Sequence, residues 1–272
     1  MLSLGKKIRL ERMRHRPSGK FFFVTVDHSI TRGVFPGLVN MKDALKKIIA
    51  GRPDAITMHK GIAQEFFYPY AGQVSLVLKA SSFSPYQPTY DTWVAWVDEA
   101  VRMGADAISM GVLVGGDRQA EMLHNLGLIS REASLAGMPL IAHIYPKGEM
   151  IKPEDQYSVE ALSYAVRAGA ELGVDIIKTW YPGTPEAFAR VCECAPGKVV
   201  AAGGPKTDTE REFFEMTRGV MDAGAVGVAY GRNIWGHKNP ALMIKALKAI
   251  VHADKGVKEA LEILGSGNER IG

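Results

Sequence analysis

The chain has 272 residues, of which 47% are hydrophobic and 23% charged, and its formal net charge is +4. This balance predicts a globular protein with a large core, and the mild positive charge suits a small anionic substrate as well as other partners. Membrane insertion and secretion are not expected, because no apolar run approaches about 18 residues and the basic N-terminal run lacks a signal-peptide apolar segment.

The two cysteines and the basic residues near the N-terminus carry little functional information. Cys192 and Cys194 are too close in sequence to bridge each other easily, and they have no nearby partners for a zinc site. A reducing cytoplasm is therefore the expected location. The basic run at 6–16 is interpreted as a solvated helix face rather than a nucleic-acid patch, so no nucleic-acid partner is expected.

Hydrophobic patterning predicts strands and helices that alternate along most of the chain. An amphipathic helix is predicted over 1–16. Strands are predicted at 21–27, 54–58, 74–79, 106–110, 139–145, 174–182, 198–203 and 225–230. Further helices are predicted at 42–49, 93–103, 120–136, 158–172, 185–194, 209–223 and 240–251, with a short helical stretch after them. Polar, proline-containing loops are expected at 28–37 and 81–90.

The segment around 91–103 is predicted to begin a helix. Asp91 or Thr92 can cap its N-terminus, and Trp93 and Trp96 then belong to a core-facing stripe.

The alternation predicts a (β/α)₈ barrel, a TIM barrel, as a single domain over 1–272 with an N-terminal helix. Three helices end in a glycine that is followed at once by the next strand, at Gly104, Gly173 and Gly224. Helix–glycine–strand repeats are what βα units require. A doubly wound open sheet is the rival fold, but the glycine-rich fingerprint that should follow its first strand is absent.

The strand at 174–182 contains one lysine among apolar residues. Alternation places Lys178 on the same face as Val174, Ile176 and Trp180. A lysine on an apolar face is costly unless it is paired or neutral, and a lowered pKa is useful for Schiff-base catalysis. A solvated lysine at a strand end is the alternative. Lys60 and Lys79 are rival Schiff-base candidates because they also lie at predicted strand ends.

Other titratable residues concentrate at the C-terminal ends of the predicted strands, where barrel active sites lie. Tyr145 and His143 share a face of the fifth strand, and Asp27 ends the first. Tyr145 is a candidate proton donor or acceptor beside Lys178, and Asp27 could orient a hydroxyl, shuttle a proton or pair with a lysine. His28 and His59 are possible substrate contacts, although satisfied structural histidines fit equally well. The histidines do not form a spaced metal-ligand set.

A phosphate site is predicted after the last two strands. Gly203 and Gly204 follow the seventh strand, and Gly231 and Arg232 follow the eighth. Glycines allow backbone N–H groups to approach a phosphate, and the helix N-termini that follow favour negative charge. Arg232 and Lys206 could add charge-assisted hydrogen bonds. Ordinary tight βα turns are the alternative.

These motifs, in this order, resemble the DhnA-type class I aldolases, also called archaeal-type fructose-bisphosphate aldolases. The resemblance runs over nearly the whole chain and includes the motifs at 4–12, 26–30, 59–62, 145–148, 176–179, 202–207 and 231–235. It implies a (β/α)₈ barrel that forms homo-oligomers, often decamers, without a metal or cofactor. It also implies that Lys178 forms the Schiff base, that Tyr145 and Asp27 act as acid/base or hydroxyl-binding groups, and that Gly203, Gly204, Gly231 and Arg232 hold a phosphate.

Three positions depart from the pattern of that family. Ser29, next to His28, stands where glycine is commonest, and Lys147 after Pro146 replaces the usual arginine and loses its bidentate fork. His143 takes the place of tryptophan in the fructose-bisphosphate aldolases and of methionine in the heptulosonate synthases. His143 is expected to face the substrate, so the acceptor aldehyde is left open.

The sequence thus predicts a class I aldolase that acts on a ketose phosphate, with fructose 1,6-bisphosphate as the first candidate. The alternative is a transaldolase similar to 2-amino-3,7-dideoxy-D-threo-hept-6-ulosonate synthase, which uses aspartate semialdehyde. The resemblance also includes a thiolase branch, ranked third because it lacks the Tyr-Pro-basic motif. A barrel enzyme without a covalent intermediate and a sugar-phosphate-binding regulator remain further alternatives.

Overall fold

The computed structural model describes residues 3–265. The first two residues of the predicted helix 1–16, and the last seven of the predicted domain 1–272, lie outside the described residues. Strands β1–β3 and β6–β10 are parallel and close into an eight-stranded barrel in the order β1-β10-β9-β8-β7-β6-β3-β2. Their bounds are β1 Phe21–Thr25, β2 Ala55–Met58, β3 Ser75–Lys79, β6 Ala107–Val114, β7 Leu140–Pro146, β8 Ile176–Thr179, β9 Val199–Ala202 and β10 Gly227–Tyr230. The prediction of a (β/α)₈ barrel is confirmed.

Helices surround this barrel, and most of the predicted ones are present. Their bounds are α1 Leu4–Met13, α2 His28–Arg32, α3 Pro36–Val39, α4 Met41–Ile49, α5 Lys60–Phe66, α6 Val97–Arg102, α7 Gln119–Leu135, α8 Val159–Glu171, α9 Pro185–Glu193, α10 Glu210–Asp222, α11 Arg232–Trp235, α12 Pro240–Ala253 and α13 Val257–Gly265. Helices α5 and α11 were not predicted, and α6 begins later than predicted. Short α2 and α3 occupy the segment predicted as the loop 28–37. None of the described helices is long and apolar enough to cross a membrane.

Local sequence signals explain where several helices begin and end. Ser158 caps α8 by accepting a hydrogen bond from Ala161 N, and Thr209 and Glu212 form a capping box at α10. Gly173, with φ of +82°, turns the chain from α8 toward β8 in a conformation that side-chain-bearing residues rarely adopt. These boundaries bring strand β8 and its lysine back into the barrel.

The core has two layers, separated by the barrel wall. One face of the strands packs outward against the helices, for example through Phe22 and Ile177. The other face fills the N-terminal half of the barrel lumen with apolar side chains: Met13, Phe21, Phe23, Ala55, Val77, Ala107, Ile141, Ile176, Val200 and Ala229. Ile176 is therefore on the predicted face with Lys178, but Val174 packs in the outer layer.

The segment 81–103 differs from its prediction. β4 (Ser81–Ser84) and β5 (Gln87–Trp93) form an antiparallel hairpin in place of the predicted loop. Ala80 O accepts hydrogen bonds from Val94 N and Ala95 N, so the chain stays extended and α6 begins only at Val97. The predicted cap at Asp91 or Thr92 and the predicted helical positions of Trp93 and Trp96 are therefore wrong.

The basic N-terminal run is only partly the solvated face that its charge suggests. Lys6 is buried, and its Nζ lies 2.9 Å from a carboxylate oxygen of Asp175, just before β8. Met13, at the other end of α1, belongs to the lumen cluster. Helix α1 therefore covers the N-terminal end of the barrel, and one of its lysines is used to hold it there.

Candidate active site

A cavity of about 260 Å³ opens at the C-terminal ends of the barrel strands. It is lined by most of the residues that the sequence singled out: Asp27, His28, His143, Tyr145, Lys147, Lys178, Gly203, Gly204, Gly231 and Arg232. Parallel strands all present their C-terminal ends to the same mouth, and lumen-facing positions recur at every second residue. The barrel thus collects residues that are up to about 200 positions apart in the chain.

Lys178 lies in this cavity, on the lumen face of β8 directly above Ile176. Its side chain is buried, with 6% of the residue exposed. Within the described residues its Nζ makes no hydrogen bond or ion pair. Burial lowers the pKa of Lys178 to about 8, although the negative charge of Asp27 opposes the shift. The fraction of Lys178 that is the free, nucleophilic amine near neutral pH is therefore much larger than for an ordinary lysine, although the ammonium form still predominates at pH 7.

Asp27 follows β1 and lies beside His28, with Oδ1 3.5 Å from His28 Nδ1. Burial by itself raises the pKa of Asp27, but the positive charges of His28 and Lys178 outweigh it and lower the pKa below its usual range. Burial also lowers the pKa of His28 to about 4. His28 is therefore neutral at pH 7, and Lys178 is the nearby cation that keeps Asp27 ionised.

Tyr145 belongs to a stack of three aromatic rings at the cavity wall. Trp180 lies between Tyr145 and Tyr157, with ring centroids 4.7 Å and 4.9 Å away. This packing fixes the plane of the Tyr145 ring. Burial, and then the charge of Asp27, raise the pKa of Tyr145, so its phenol is protonated at neutral pH and can donate a hydrogen bond.

His143 is paired in register with Lys178 on the neighbouring strand. Burial, and then the charge of Lys178, hold the pKa of His143 well below its usual value. The imidazole is therefore neutral, and it adds a hydrogen-bonding group rather than a charge next to the lysine.

The predicted phosphate cradle forms a compact turn pair after β9 and β10. Arg232 Nη2 donates to Gly204 O at 2.6 Å, while Arg232 Nε is buried without a hydrogen-bond partner in the described chain. Asn233 Nδ2 donates to Gly203 O at 3.1 Å and so ties the two turns together. Gly204 has a φ of +61°, and a Cβ at Gly231 would collide with the His28 ring. The turns are therefore built for glycine and leave a cationic, donor-rich concavity.

Some of the predicted site residues lie elsewhere. Lys206 is exposed and lines a neighbouring cavity with Thr207 and Asp208, because the chain has already turned away from the mouth after Gly204. Ser29 and Pro146 are not among the residues that line the main cavity. Lys60 Nζ lies 2.8 Å from Glu99 Oε1 outside the cavity, so it is a poor rival for Lys178.

Several cavity residues were missed by the sequence analysis. They are Thr25, Thr31, Arg32, Phe83, Asp91, Leu113, Gln156, Tyr157, Trp180, Ala202 and Ala229, of which Trp180 was noted only for its strand face. Arg32 ends α2, and its guanidinium carbon lies 5.7 Å from the Phe83 ring centroid, while Lys147 Nζ lies 5.4 Å from it. Phe83 belongs to the unpredicted hairpin. Arg32 could have been identified from the sequence, because it is a basic residue only five positions after the candidate Asp27.

Lys79, the other rival lysine, does lie in the cavity but is held by polar neighbours. Its Nζ donates to Ser81 Oγ at 3.1 Å and lies 4.0 Å from Asp91 Oδ1. This environment contrasts with that of Lys178, which is buried without such a contact. In the described part of the chain, no group of three or more His, Cys, Asp or Glu residues is arranged to hold a metal ion. Independence from metals and cofactors stays a prediction.

A (β/α)₈ barrel with an amine of lowered pKa, an ionised carboxylate and a protonated phenol in one cavity has the fold and groups of a lysine-based enzyme. The sequence profile described as "DeoC/LacD family aldolase" matches residues 21–237. The chain therefore belongs to this aldolase family. That result confirms the class of enzyme inferred from the motifs.

Individual relatives cover nearly the full chain. The sequence is 33% identical to the 2-amino-3,7-dideoxy-D-threo-hept-6-ulosonate synthase of Halobacterium salinarum, over 97% of this chain and 98% of the relative. It is also 33% identical to the class 1 fructose-bisphosphate aldolase of the same organism, over 89% of this chain and 94% of the relative. A solved structure of a Schiff-base-forming fructose-1,6-bisphosphate aldolase superposes with a TM-score of 0.83 at 28% identity, over 91% and 100% of the two chains.

Proposed function

We propose that this protein is a class I aldolase that cleaves or forms a ketose phosphate, with fructose 1,6-bisphosphate as the substrate and dihydroxyacetone phosphate and glyceraldehyde 3-phosphate as products. The observation that carries the proposal is Lys178, a buried amine with a pKa of about 8 beside an ionised Asp27 and next to a cradle of glycines. The 28% identical aldolase of known structure is described as Schiff-base-forming, which supports the same chemistry here.

The cavity residues can be given roles in this reaction. The Lys178 amine attacks the ketone carbon, water leaves, and an iminium forms. The C–C bond then breaks, its electron pair moves into the iminium to form an enamine, and the proton of the neighbouring hydroxyl passes to a base. Tyr145 holds its proton at neutral pH and is suited to protonate the departing hydroxyl of the carbinolamine, while the ionised Asp27 can accept a proton.

Two cationic regions of the cavity suit a substrate with two phosphates. Gly203, Gly204, Gly231 and Arg232 would hold the phosphate next to the ketone, as helix N-termini and glycine turns do in many barrels. Arg32 and Lys147 flank Phe83 and would face a second phosphate. His28 and His143, both neutral, would contact substrate hydroxyl groups.

A transaldolase that uses aspartate semialdehyde is the second candidate. The heptulosonate synthase relative matches 97% of this chain, against 89% for the fructose-bisphosphate aldolase, at the same identity of 33%. Both reactions need the lysine and the phosphate cradle, and they differ in the aldehyde. A homo-oligomer, with a decamer as the first assembly to test, and a cytoplasmic location are proposed with either reaction.

Borohydride reduction in the presence of dihydroxyacetone phosphate tests the mechanism directly. We expect an adduct on Lys178, identified by peptide mass spectrometry, and its rate of formation should rise with pH around the Lys178 pKa of about 8. Lys178→Met should form no adduct. Lys60→Met is the matched control, because Lys60 pairs with Glu99 outside the cavity, and it should form the adduct normally.

The outcomes separate the alternatives. An adduct on Lys79 in place of Lys178 would contradict the assignment of the lysine. A folded protein with no adduct on any lysine would contradict the Schiff-base mechanism and favour a non-covalent barrel enzyme. Cleavage of fructose 1,6-bisphosphate, against transfer to aspartate semialdehyde, then decides between the two aldehyde partners.

A further inference from the structure

The β4–β5 hairpin inserts an acidic side chain into the barrel mouth. Asp91 of β5 is only 3% exposed and lines the cavity, and its Oδ1 has no hydrogen-bond partner in the described part of the chain. A buried carboxylate oxygen without a donor is costly and is rare unless a ligand satisfies it. The Asp91 carboxylate therefore has an open position for a hydrogen-bond donor inside the site.

The barrel itself leaves space for this carboxylate. Gly111 of β6 is the lumen-facing residue at the level of His143 and Lys178, with which it is linked by strand register. A Cβ at Gly111 would collide with the carboxylate of Asp91. The carboxylate of Asp91 therefore occupies the space that a side chain at position 111 would fill, and Asp91 joins the residues that line the cavity.

Lys79 completes a two-residue subsite with Asp91. Its Nζ lies 4.0 Å from Asp91 Oδ1 and donates to Ser81 Oγ, whose oxygen also accepts from Gly111 N at 2.7 Å. An ammonium has three N–H donors, so Lys79 has donors to spare after Ser81. The pair offers one acceptor and at least one donor about 4.0 Å apart.

The order of strands around the barrel indicates which part of a bound substrate would lie near Asp91 and Lys79. The phosphate cradle follows β9 and β10, Lys178 is on β8, and Asp91 and Lys79 lie over β6 and β3 on the other side of β7. Neighbouring strands are about 4.8 Å apart, so Asp91 lies roughly 10 Å across the mouth from the lysine strand. If the phosphate is bound in the cradle and the ketone at Lys178, continuing in the same direction around the barrel would bring the remaining carbons of the substrate toward Asp91.

We propose that Asp91 and Lys79 bind a hydroxyl group on the acceptor-aldehyde half of the substrate, adjacent to its aldehyde carbon. This inference rests on the proposed function, since it assumes that the donor half is bound at Lys178. A hydroxyl group donates to a carboxylate and accepts from an ammonium at once, which matches the pair. An amino aldehyde such as aspartate semialdehyde is a poorer fit. It has no hydroxyl next to its aldehyde carbon, and its ammonium would enter a cavity that is lined by five cationic and two acidic side chains, Arg32, Lys79, Lys147, Lys178, Arg232, Asp27 and Asp91.

The test compares acceptors that differ at one position. The rate of condensation with dihydroxyacetone phosphate is measured as kcat/KM for glyceraldehyde 3-phosphate and for 3-phosphooxypropanal, which lacks the 2-hydroxyl. Aspartate semialdehyde, which carries an ammonium on the second carbon from the aldehyde and only hydrogens on the adjacent carbon, is the amino probe. Wild type should prefer the hydroxylated acceptor by about 30-fold, since hydrogen bonds to charged groups discriminate strongly. Asp91→Leu should reduce that ratio to below about 3-fold, and Asp91→Asn should lower it by about 5-fold.

Thr92→Ala is the matched control. Thr92 is exposed on the same hairpin strand and pairs with Ser82, away from the cavity, so its acceptor ratio should equal that of wild type. Borohydride trapping of dihydroxyacetone phosphate on Lys178 is measured in every variant and should be unchanged, because the subsite binds the other half. If Asp91→Leu fails to fold, Asp91→Asn decides the result.

Each outcome supports or overturns the subsite. An unchanged ratio in a folded Asp91 variant that still forms the Lys178 adduct overturns it. A wild-type preference for aspartate semialdehyde that is lost in the Asp91 variants overturns the hydroxyl assignment and makes the subsite one for an ammonium. Absence of the adduct in wild type is instead the failure of the proposed function, and the inference fails with it.

Discussion

The two halves of the barrel lumen are built by the same strands and have opposite chemistry. Toward the N-terminal ends the lumen holds Phe23, Val77 and Ile176 with the other apolar side chains of that cluster. Two residues further along the same strands stand Thr25, Lys79 and Lys178, which line the cavity. Because the strand period is two, each of these three strands contributes one residue to the apolar cluster and the residue two positions later to the site.

On each of these strands, a residue that stabilises the fold and a residue that lines the site are therefore only about 7 Å apart. The lower half gains free energy from burial of apolar surface, whereas the upper half carries buried ionisable groups whose pKa values are shifted by desolvation. The rigid apolar cluster holds the strands, and the strands hold the shifted groups in place. Changes in the two halves are therefore expected to have separable effects.

The largest expected effect comes from placing an apolar side chain at one position in the C-terminal, ionisable half of the lumen. Lys178→Met keeps the length of the side chain and removes the amine, so kcat/KM for ketose phosphate cleavage should fall by at least about 10⁴-fold. Burial of the lysine lowers its pKa to about 8, which means that its charged form opposes folding at pH 7. In urea unfolding, the free energy of unfolding of Lys178→Met should therefore equal or exceed that of wild type. Retained turnover in this variant would contradict the catalytic role of Lys178.

The reciprocal change weakens the lower half. Phe23→Ala removes a fully buried ring from the lumen and should lower the free energy of unfolding by about 3–5 kcal/mol, as other large-to-small core changes do. The fraction that stays folded should retain kcat within about 3-fold, because Phe23 does not line the cavity. Phe23→Leu is the matched control and should cost much less. A loss of kcat without a loss of stability would refute the separation.

A smaller effect is expected from acid. Burial lowers the pKa of His28 to about 4 in the folded protein, whereas the unfolded chain takes up the proton near pH 6.5. The unfolded state therefore binds more protons at His28 between these values. The His28 contribution should lower the stability as pH drops from about 6.5 to about 4 and should stay level above pH 6.5. His28 alone should contribute about 3 kcal/mol over that window.

Urea unfolding of wild type and His28→Gln between pH 4.5 and 7.5 measures that contribution. The variant should show a shallower slope below pH 6.5, and parallel curves would assign the acid lability to other groups. His59 and His143 have pKa values that are also lowered by burial, so part of the slope should remain in the variant.

The comparison also explains which parts of the site could be read from sequence. Alternation correctly placed Ile141, His143 and Tyr145 on one face of β7, and Ile176 with Lys178 on β8. The position of Lys206 could not be predicted in this way. The turn after Gly204 carries its side chain away from the barrel mouth and into a neighbouring cavity. Lys206 lies four positions beyond the end of β9, where strand alternation no longer constrains the direction of a side chain.

By itself, the sequence determined the barrel and the lysine, tyrosine and aspartate at its mouth, because strand periodicity and the common direction of parallel strands are local properties that repeat. Only the tertiary structure decided the contribution of Asp91, Phe83 and Tyr157. These residues lie on a hairpin and a loop that reach the cavity through space, and Asp91 fits there only because Gly111, 20 residues later in the chain, leaves room for it. That complementarity depends on packing between segments, and no local pattern encodes it.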